Sequence, residues 1–211
     1  AGATVLIDVD ILPERFARMA SRISTYAYLR EGTEQFLHAF GPAQYTSAAQ
    51  YAAAVGSPLA PTLLGEERDY ARMGSIEIIQ RNIETDPAAD ANYHDPRRRT
   101  LAAYLEPLDR LHLDGYVYPA IQMPPPDETM PQDGEISGGP HSATGWVNMI
   151  GVPAVVVVGG FYRGGLPFGL EFSARPWHDG DLLGYAYAWE QATQHRRPPV
   201  LVAAGLLPAA P

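Results

Sequence analysis

The sequence predicts an α/β protein, and three observations carry that expectation. Ala154-Val155-Val156-Val157-Val158 is a continuous β-branched run, as expected of a strand covered on both faces in a mostly parallel sheet. Past the glycine pair Gly164-Gly165, which suits the positive φ of a hairpin turn, Phe168-Gly169-Leu170-Glu171-Phe172 resumes extended structure. Around these segments apolar residues recur at helical spacing, as in Leu101, Tyr104, Leu105 and Leu108.

In chain order, Thr4-Val5-Leu6-Ile7-Asp8-Val9 reads as a short buried strand. A buried strand is a strange first element, since termini usually fray, so a cut upstream is the expectation. Pro13 stands at a first helical position. Phe16, Met19, Ile23, Tyr26, Ala27 and Leu37 continue the helical spacing to about His38, with Gly32 as a point of breakage or bending. From Gly41 to Tyr93 the pattern is alanine-rich and helical, with interruptions at Pro58, Pro61, Gly65 and Gly74. His94-Asp95-Pro96 opens the next helix, with Asp95 as cap, and that helix ends before Gly115. Tyr116-Val117-Tyr118 follows as a strand closed by Pro119. Met123 to Pro140, rich in proline, glycine and acids, is a loop long enough to be functional. Asp179 or Asp181 caps a last helix whose apolar stripe is Leu182, Leu183, Ala186 and Trp189. The proline-containing tail from Pro198 is docked or frayed.

Composition narrows the function classes. A chain of 211 residues suits one domain or a large piece of a bigger one. At 46% hydrophobic and 18% charged it belongs with globular proteins. The net charge of −9 argues against nucleic acid, because phosphate contacts need clustered cations. Arg97-Arg98-Arg99 is the only cationic run and reads as a solvated helix start. No apolar run approaches the roughly 20 residues that span a bilayer, so no membrane partner is expected. The chain has no cysteine, which removes disulfides, thiolate metal sites and cysteine nucleophiles, and fits a cytosolic protein. It also has no lysine: all 15 basic residues are arginine.

Several motifs resemble one family in order. Gly2-Ala3-Thr4-Val5 resembles a Gly-Ala-x-Val strand, and Tyr116-Val117-Tyr118-Pro119 with the proline-rich loop resembles the segment before the family's core motif. Thr144-Gly145-Trp146-Val147-Asn148-Met149-Ile150-Gly151-Val152-Pro153-Ala154 is similar to the Thr…Asn…Gly-Leu-Pro-Ala pattern of the amidase-signature enzymes. Gly165-Leu166-Pro167-Phe168-Gly169-Leu170 is similar to their Gly-Leu-Pro-Val-Gly-Leu, and the following helix matches through Glu190-Gln191-Ala192-Thr193. Glu171 departs from the pattern, standing where many members carry glutamine.

The resemblance implies an α/β/α fold with a large mixed sheet flanked by helices. Residues 1–211 would then be the C-terminal portion of a single amidase-signature domain. It further implies cleavage of carboxylic amide C–N bonds by a serine assisted by a cis-serine and a lysine, a variant of triad logic in which a neutral base accepts the hydroxyl proton. The Gly-Gly-Ser-Ser-Gly loop that supplies these groups is absent, and Ser137-Gly138-Gly139 is the nearest string. No catalytic residue of the family therefore transfers to this chain. The implied partners are the N-terminal portion of the same enzyme, carrying the nucleophile, and a small-molecule amide; a homo-oligomer stays open. No cofactor is implied. The alternative is a noncatalytic binding or scaffold subunit related to the amidase fold.

Other chemistry finds little support. No Gly-x-Ser-x-Gly elbow is present, and adjacent residues such as His141-Ser142 seldom form a triad. His38, His94, His112, His141, His178 and His195 lack metal-ligand spacing. The Gly159 to Gly165 stretch lacks a phosphate-loop pattern. The resemblance implies that the C-terminal portion helps to wall the substrate pocket, which makes the loop Ile121 to Trp146 the candidate, with Met123, His141, Thr144 and Trp146 as substrate contacts. Asn148 would order the turn before Gly151-Val152-Pro153. A wall of Tyr116, Tyr118, Trp146 and Phe161 would favour an apolar or aryl amide.

Overall fold

A computed structural model describes residues 2–7, 11–23, 28–56, 82–121 and 144–208. The chain forms two compact units, one of Arg15–Thr100 and one of Ala1–Glu14 with Leu101–Pro211. No helix among the described residues is long and apolar enough to cross a membrane.

The Arg15–Thr100 unit is helical. Phe16–Ala20 (α1), Leu29–Phe40 (α2) and Ala48–Val55 (α3) fall in the region of helical spacing. Gly32 lies inside α2 without breaking it. A lone helical glycine costs only about 1 kcal/mol against alanine, and neighbouring carboxylates tie this helix to the rest of the unit. Glu31 accepts from the Ile83 backbone N–H at 2.7 Å, and Glu34 from that of Ala48 at 3.2 Å. Ser47 caps α3 by accepting from the Gln50 backbone N–H. The interruptions expected at Pro58, Pro61, Gly65 and Gly74 lie outside the described residues.

A π-helical turn, Asp90–His94, runs directly into Asp95–Arg110 (α4). Asp95 is therefore not a cap: its backbone is helical, because the π turn already supplies the preceding turn. Its carboxylate pairs with Arg98, and with Arg99 at 3.8 Å. The arginine run is solvated as expected, with Arg98 and Arg99 side chains 71% and 77% exposed.

The second unit holds the sheet. Gly115–Pro119 (β1), Ala154–Phe161 (β2) and Pro167–Ala174 (β3) pair in the order β1-β3-β2, antiparallel throughout. The mostly parallel sheet expected around Ala154–Val158 is thus corrected for these three strands. The physical reason is the connection. A tight turn joins β2 to β3, whereas a parallel pair needs a crossover of a dozen or more residues. Gly165, at φ +82°, donates to the Tyr162 carbonyl, and the Tyr162 N–H donates to that of Leu166 at 2.8 Å, as the glycine pair predicted. Phe168 covers the bulge above the turn, where a Cβ on Gly159 would stand 2.6 Å from its ring.

Asp179–Thr193 (α6) packs on one face of the sheet, and Thr144–Ile150 (α5) precedes β2. Leu182 and Ala186 are buried, Trp189 meets Phe172 edge-on, and the Trp189 indole N–H donates to the Val158 carbonyl at 3.0 Å. Leu183, expected in that stripe, is instead exposed, because it lies about 100° around the helix from Leu182. Neither Asp179 nor Asp181 is the cap. Both lie within the first helical turn behind His178, where their charge complements the helix dipole. Only one face of β2 is well covered: Val157 is buried while Val156 is 51% exposed at the sheet edge. The tail forms the short helix Val200–Ala203 (α7), with no buried residue.

The opening strand is also corrected. Thr4 to Ile7 take no regular structure and are exposed, Ile7 by 94%, while Asp8 and Val9 lie outside the described residues. A β-branched run becomes a strand only against a hydrogen-bonding neighbour, and among the described residues β1, β2 and β3 pair only with one another.

Candidate functional site

Period-two alternation places Tyr116 and Tyr118 of β1 on the same face of the sheet as Glu171 and Ser173 of β3, in register opposite them. α4 brings Tyr104 to this face, and α5 brings Trp146. The Tyr104 hydroxyl donates to Ser173 Oγ at 3.0 Å and to the Ala174 carbonyl at 3.2 Å. The Tyr116 hydroxyl donates to the Tyr104 carbonyl at 2.8 Å. The Tyr118 hydroxyl donates to Glu171 Oε1 at 2.8 Å. The Trp146 ring centroid stands 5.5 Å from that of Tyr104 and 5.4 Å from that of Tyr118. Outside the cluster, Arg175 bridges to Asp109 of α4 at 2.7 Å, holding the end of β3 to the helix.

The electrostatics follow from burial. Glu171 and Ser173 are both fully buried. Desolvation raises the Glu171 carboxyl above the ordinary carboxylate range, partly offset by the Tyr118 hydrogen bond. Burial pushes the Tyr104 phenol up to about 12, with the Ser173 hydrogen bond opposing. Tyr118 and Tyr116 rise for the same reason, and the neighbouring Glu171 adds to the shift of Tyr118. These phenols stay neutral donors at ordinary pH. Ser173 is therefore paired with a tyrosine rather than a general base, an arrangement that fixes a wall and does not activate a nucleophile.

The sequence-predicted contacts divide accordingly. Trp146 packs against Tyr118 and Tyr104, and Tyr116 packs against Tyr104. Phe161 does not join them: it lies at the far end of β2 beneath the Arg197 guanidinium, 5.0 Å from its ring centre. Thr144 opens α5, while Met123 and His141 lie outside the described residues. The segment ending at Trp146 is helical from Thr144 and not loop. Asn148 does not order the next turn. It is exposed on α5, and the turn closes through its backbone, with the N–H groups of Gly151 and Val152 donating to the Val147 carbonyl and Gly151 at φ +70°. Sequence reasoning missed Tyr104 and Ser173. For Ser173 the signal was there in its two-residue spacing from Glu171, opposite the like spacing of Tyr116 and Tyr118; for Tyr104 there was none.

No protein-family model matches the chain. Among curated relatives, a glutamyl-tRNA(Gln) amidotransferase subunit from Dinoroseobacter shibae is 52% identical over 46 residues, 22% of this chain and 9% of that protein. Its counterpart from Ruegeria pomeroyi is 54% identical over 46 residues, with the same coverage. Among solved structures, a peptide amidase in complex with the competitive inhibitor chymostatin superposes with TM-score 0.57 at 25% identity, covering 89% of this chain and 37% of that one. The native peptide amidase from Stenotrophomonas maltophilia gives TM-score 0.55 at 25% identity, over 89% of this chain and 36% of that one. The matched segment thus spans about a tenth of the length of the curated relatives, and the chain covers little more than a third of the peptide amidase.

Proposed function

The chain is related to the amidase-signature family, and from that premise we propose that it forms part of a serine hydrolase cleaving carboxylic amide C–N bonds. In this reading residues 1–211 are the C-terminal portion of one amidase domain. They contribute sheet core and one wall of the substrate pocket, with Trp146 and Thr144, and Met123 and His141 of the preceding segment, toward the substrate. The reading rests above all on one observation: superposition on the peptide amidase over 89% of the chain. Because the chain contains no lysine, the general base of a serine–lysine mechanism comes from sequence outside these residues, and with it the nucleophile. The complete protein would work in the cytoplasm on a small-molecule amide.

The chemistry divides in two. The groups outside this chain attack the carbonyl and protonate the leaving amine. The aromatic wall holds the acyl or amine portion of the substrate against them, and positioning of this kind contributes through effective molarity rather than bond making. The test is labelling of the complete protein with a fluorophosphonate, followed by peptide mapping. A modified serine outside residues 1–211, together with turnover of an aryl amide, is the expected result. A complete protein that neither labels nor turns over any amide would favour the noncatalytic scaffold.

A further inference from the structure

Among the described residues Glu171 is the only buried side chain of an ordinarily charged type. Its Oε1 accepts from Tyr118, while Oε2 is buried and meets no hydrogen-bond partner among the described residues. The groups around it come from four elements. β1 presents Tyr118 and Tyr116, α4 presents Tyr104, α5 presents Trp146, and β2 sets Val156 opposite it in register. The nearby cation, Arg175, is engaged by Asp109. None of these groups compensates a negative charge on Oε2. An ionised carboxylate with one oxygen dry and unpaired is among the costliest arrangements in a protein interior. The neutral acid, with the shape of glutamine, avoids that cost.

We infer that Glu171 folds as the neutral carboxylic acid and acts as a pH-sensitive latch, whose deprotonation opens the Tyr118–Trp146 face of the sheet. The proton passes to solvent base, and the face opens because the carboxylate left behind gains solvation only by reaching water. Burial supports the direction, holding the carboxyl above its ordinary value of 4.5. The folded-state value is raised, so the stabilisation is fully present below about 4.5 and is lost as pH rises through the raised folded value. Tyr118 donates to the carboxylate and so favours its ionised form. Replacing it with phenylalanine moves the opening to higher pH.

The test compares the complete protein with its Glu171→Gln and Tyr118→Phe variants, reading two signals as pH is raised. Infrared difference spectra report a protonated carboxyl, and 5-fluorotryptophan NMR reports the Trp146 environment. The expected result is an acid carbonyl band in the parent that persists after the other carboxyls have ionised and is missing from Glu171→Gln. That band should fade with rising pH at the same midpoint as the Trp146 change, and the midpoint should move upward in Tyr118→Phe. A Trp146 signal with the same pH dependence in Glu171→Gln as in the parent overturns the latch, as does a missing acid band. Should Glu171→Gln fail to fold, carbon-13 carboxyl titration of the parent decides instead. One glutamate titrating well above the rest supports the inference, and all titrating together refutes it.

Discussion

The hydroxyl of Tyr104, midway along α4, donates to Ser173 Oγ on the central strand β3 at 3.0 Å, joining residues 69 positions apart. The same hydroxyl reaches the Ala174 carbonyl, so one side chain ties the helix to both side chain and backbone of the strand. Tyr104→Phe keeps the ring and removes the hydroxyl, so the buried Ser173 hydroxyl and Ala174 carbonyl lose the partner they share. The expected cost is about 1–3 kcal/mol, read as a lower urea midpoint with an unchanged slope. Tyr104→Ala also removes the ring stacked on Tyr116 and Trp146 and should cost about 3–5 kcal/mol.

The same tyrosine fixes the behaviour in alkali. Its phenol is raised from 10.0 to about 12 by burial. The stabilisation is therefore complete below pH 10.0 and is lost as pH climbs through about 12. Tyrosinate absorbance should show a rise coincident with unfolding, and Tyr104→Phe should diminish it.

Adjacent valines of β2 should respond in opposite ways to a charge. Val157 faces α6 and is buried, while Val156 is half exposed. Val157→Asp buries an unpaired carboxylate at a cost of several kcal/mol and should yield insoluble or unfolded protein. Val156→Asp should remain soluble with a small fall in Tm. Equal effects at the two positions would contradict the edge placement of β2.

The bulge before the hairpin gives a coupled prediction. Because a Cβ at Gly159 would meet the Phe168 ring at 2.6 Å, Gly159→Ala should destabilise by about 1–3 kcal/mol. Combining it with Phe168→Leu should recover part of that loss, so that a double-mutant cycle shows non-additivity.

The parts legible in the sequence were those governed by local chemistry. Gly164-Gly165 fixed the hairpin turn, Pro119 the end of β1, and the spacing of Leu182, Ala186 and Trp189 the buried face of α6. Pairing direction was not local. The run Ala154–Val158 is equally apolar in a parallel or an antiparallel sheet, and only the connection to β3 separates the two. The opening run misled for a related reason, since β propensity in Thr4 to Ile7 has no force without a neighbouring strand. For the candidate site, Trp146, Tyr116 and Tyr118 were legible as aromatics. Tyr104 was hidden because a helix residue's partner on a strand 69 positions away leaves no mark in local spacing. Helix α5 was hidden because Thr144, Gly145 and Val147 are weak helix formers that hold it only in tertiary context.

Trp146 offers a kinetic test of the proposed pocket wall. In the complete protein, Trp146→Ala should raise KM for aryl amides by about tenfold or more with a smaller change in kcat, the pattern of lost uniform binding. A change confined to thermal stability would place Trp146 in the core alone.

The proposed division of labour, in which sequence outside this chain would hold the nucleophile, is tested most directly by amide turnover. Residues 1–211, purified free of any longer form, are assayed with a chromogenic aryl amide beside the complete protein. The account predicts steady turnover by the complete protein and none above background by the chain alone, which lacks both lysine and serine-rich loop. Steady turnover by the isolated chain would contradict it.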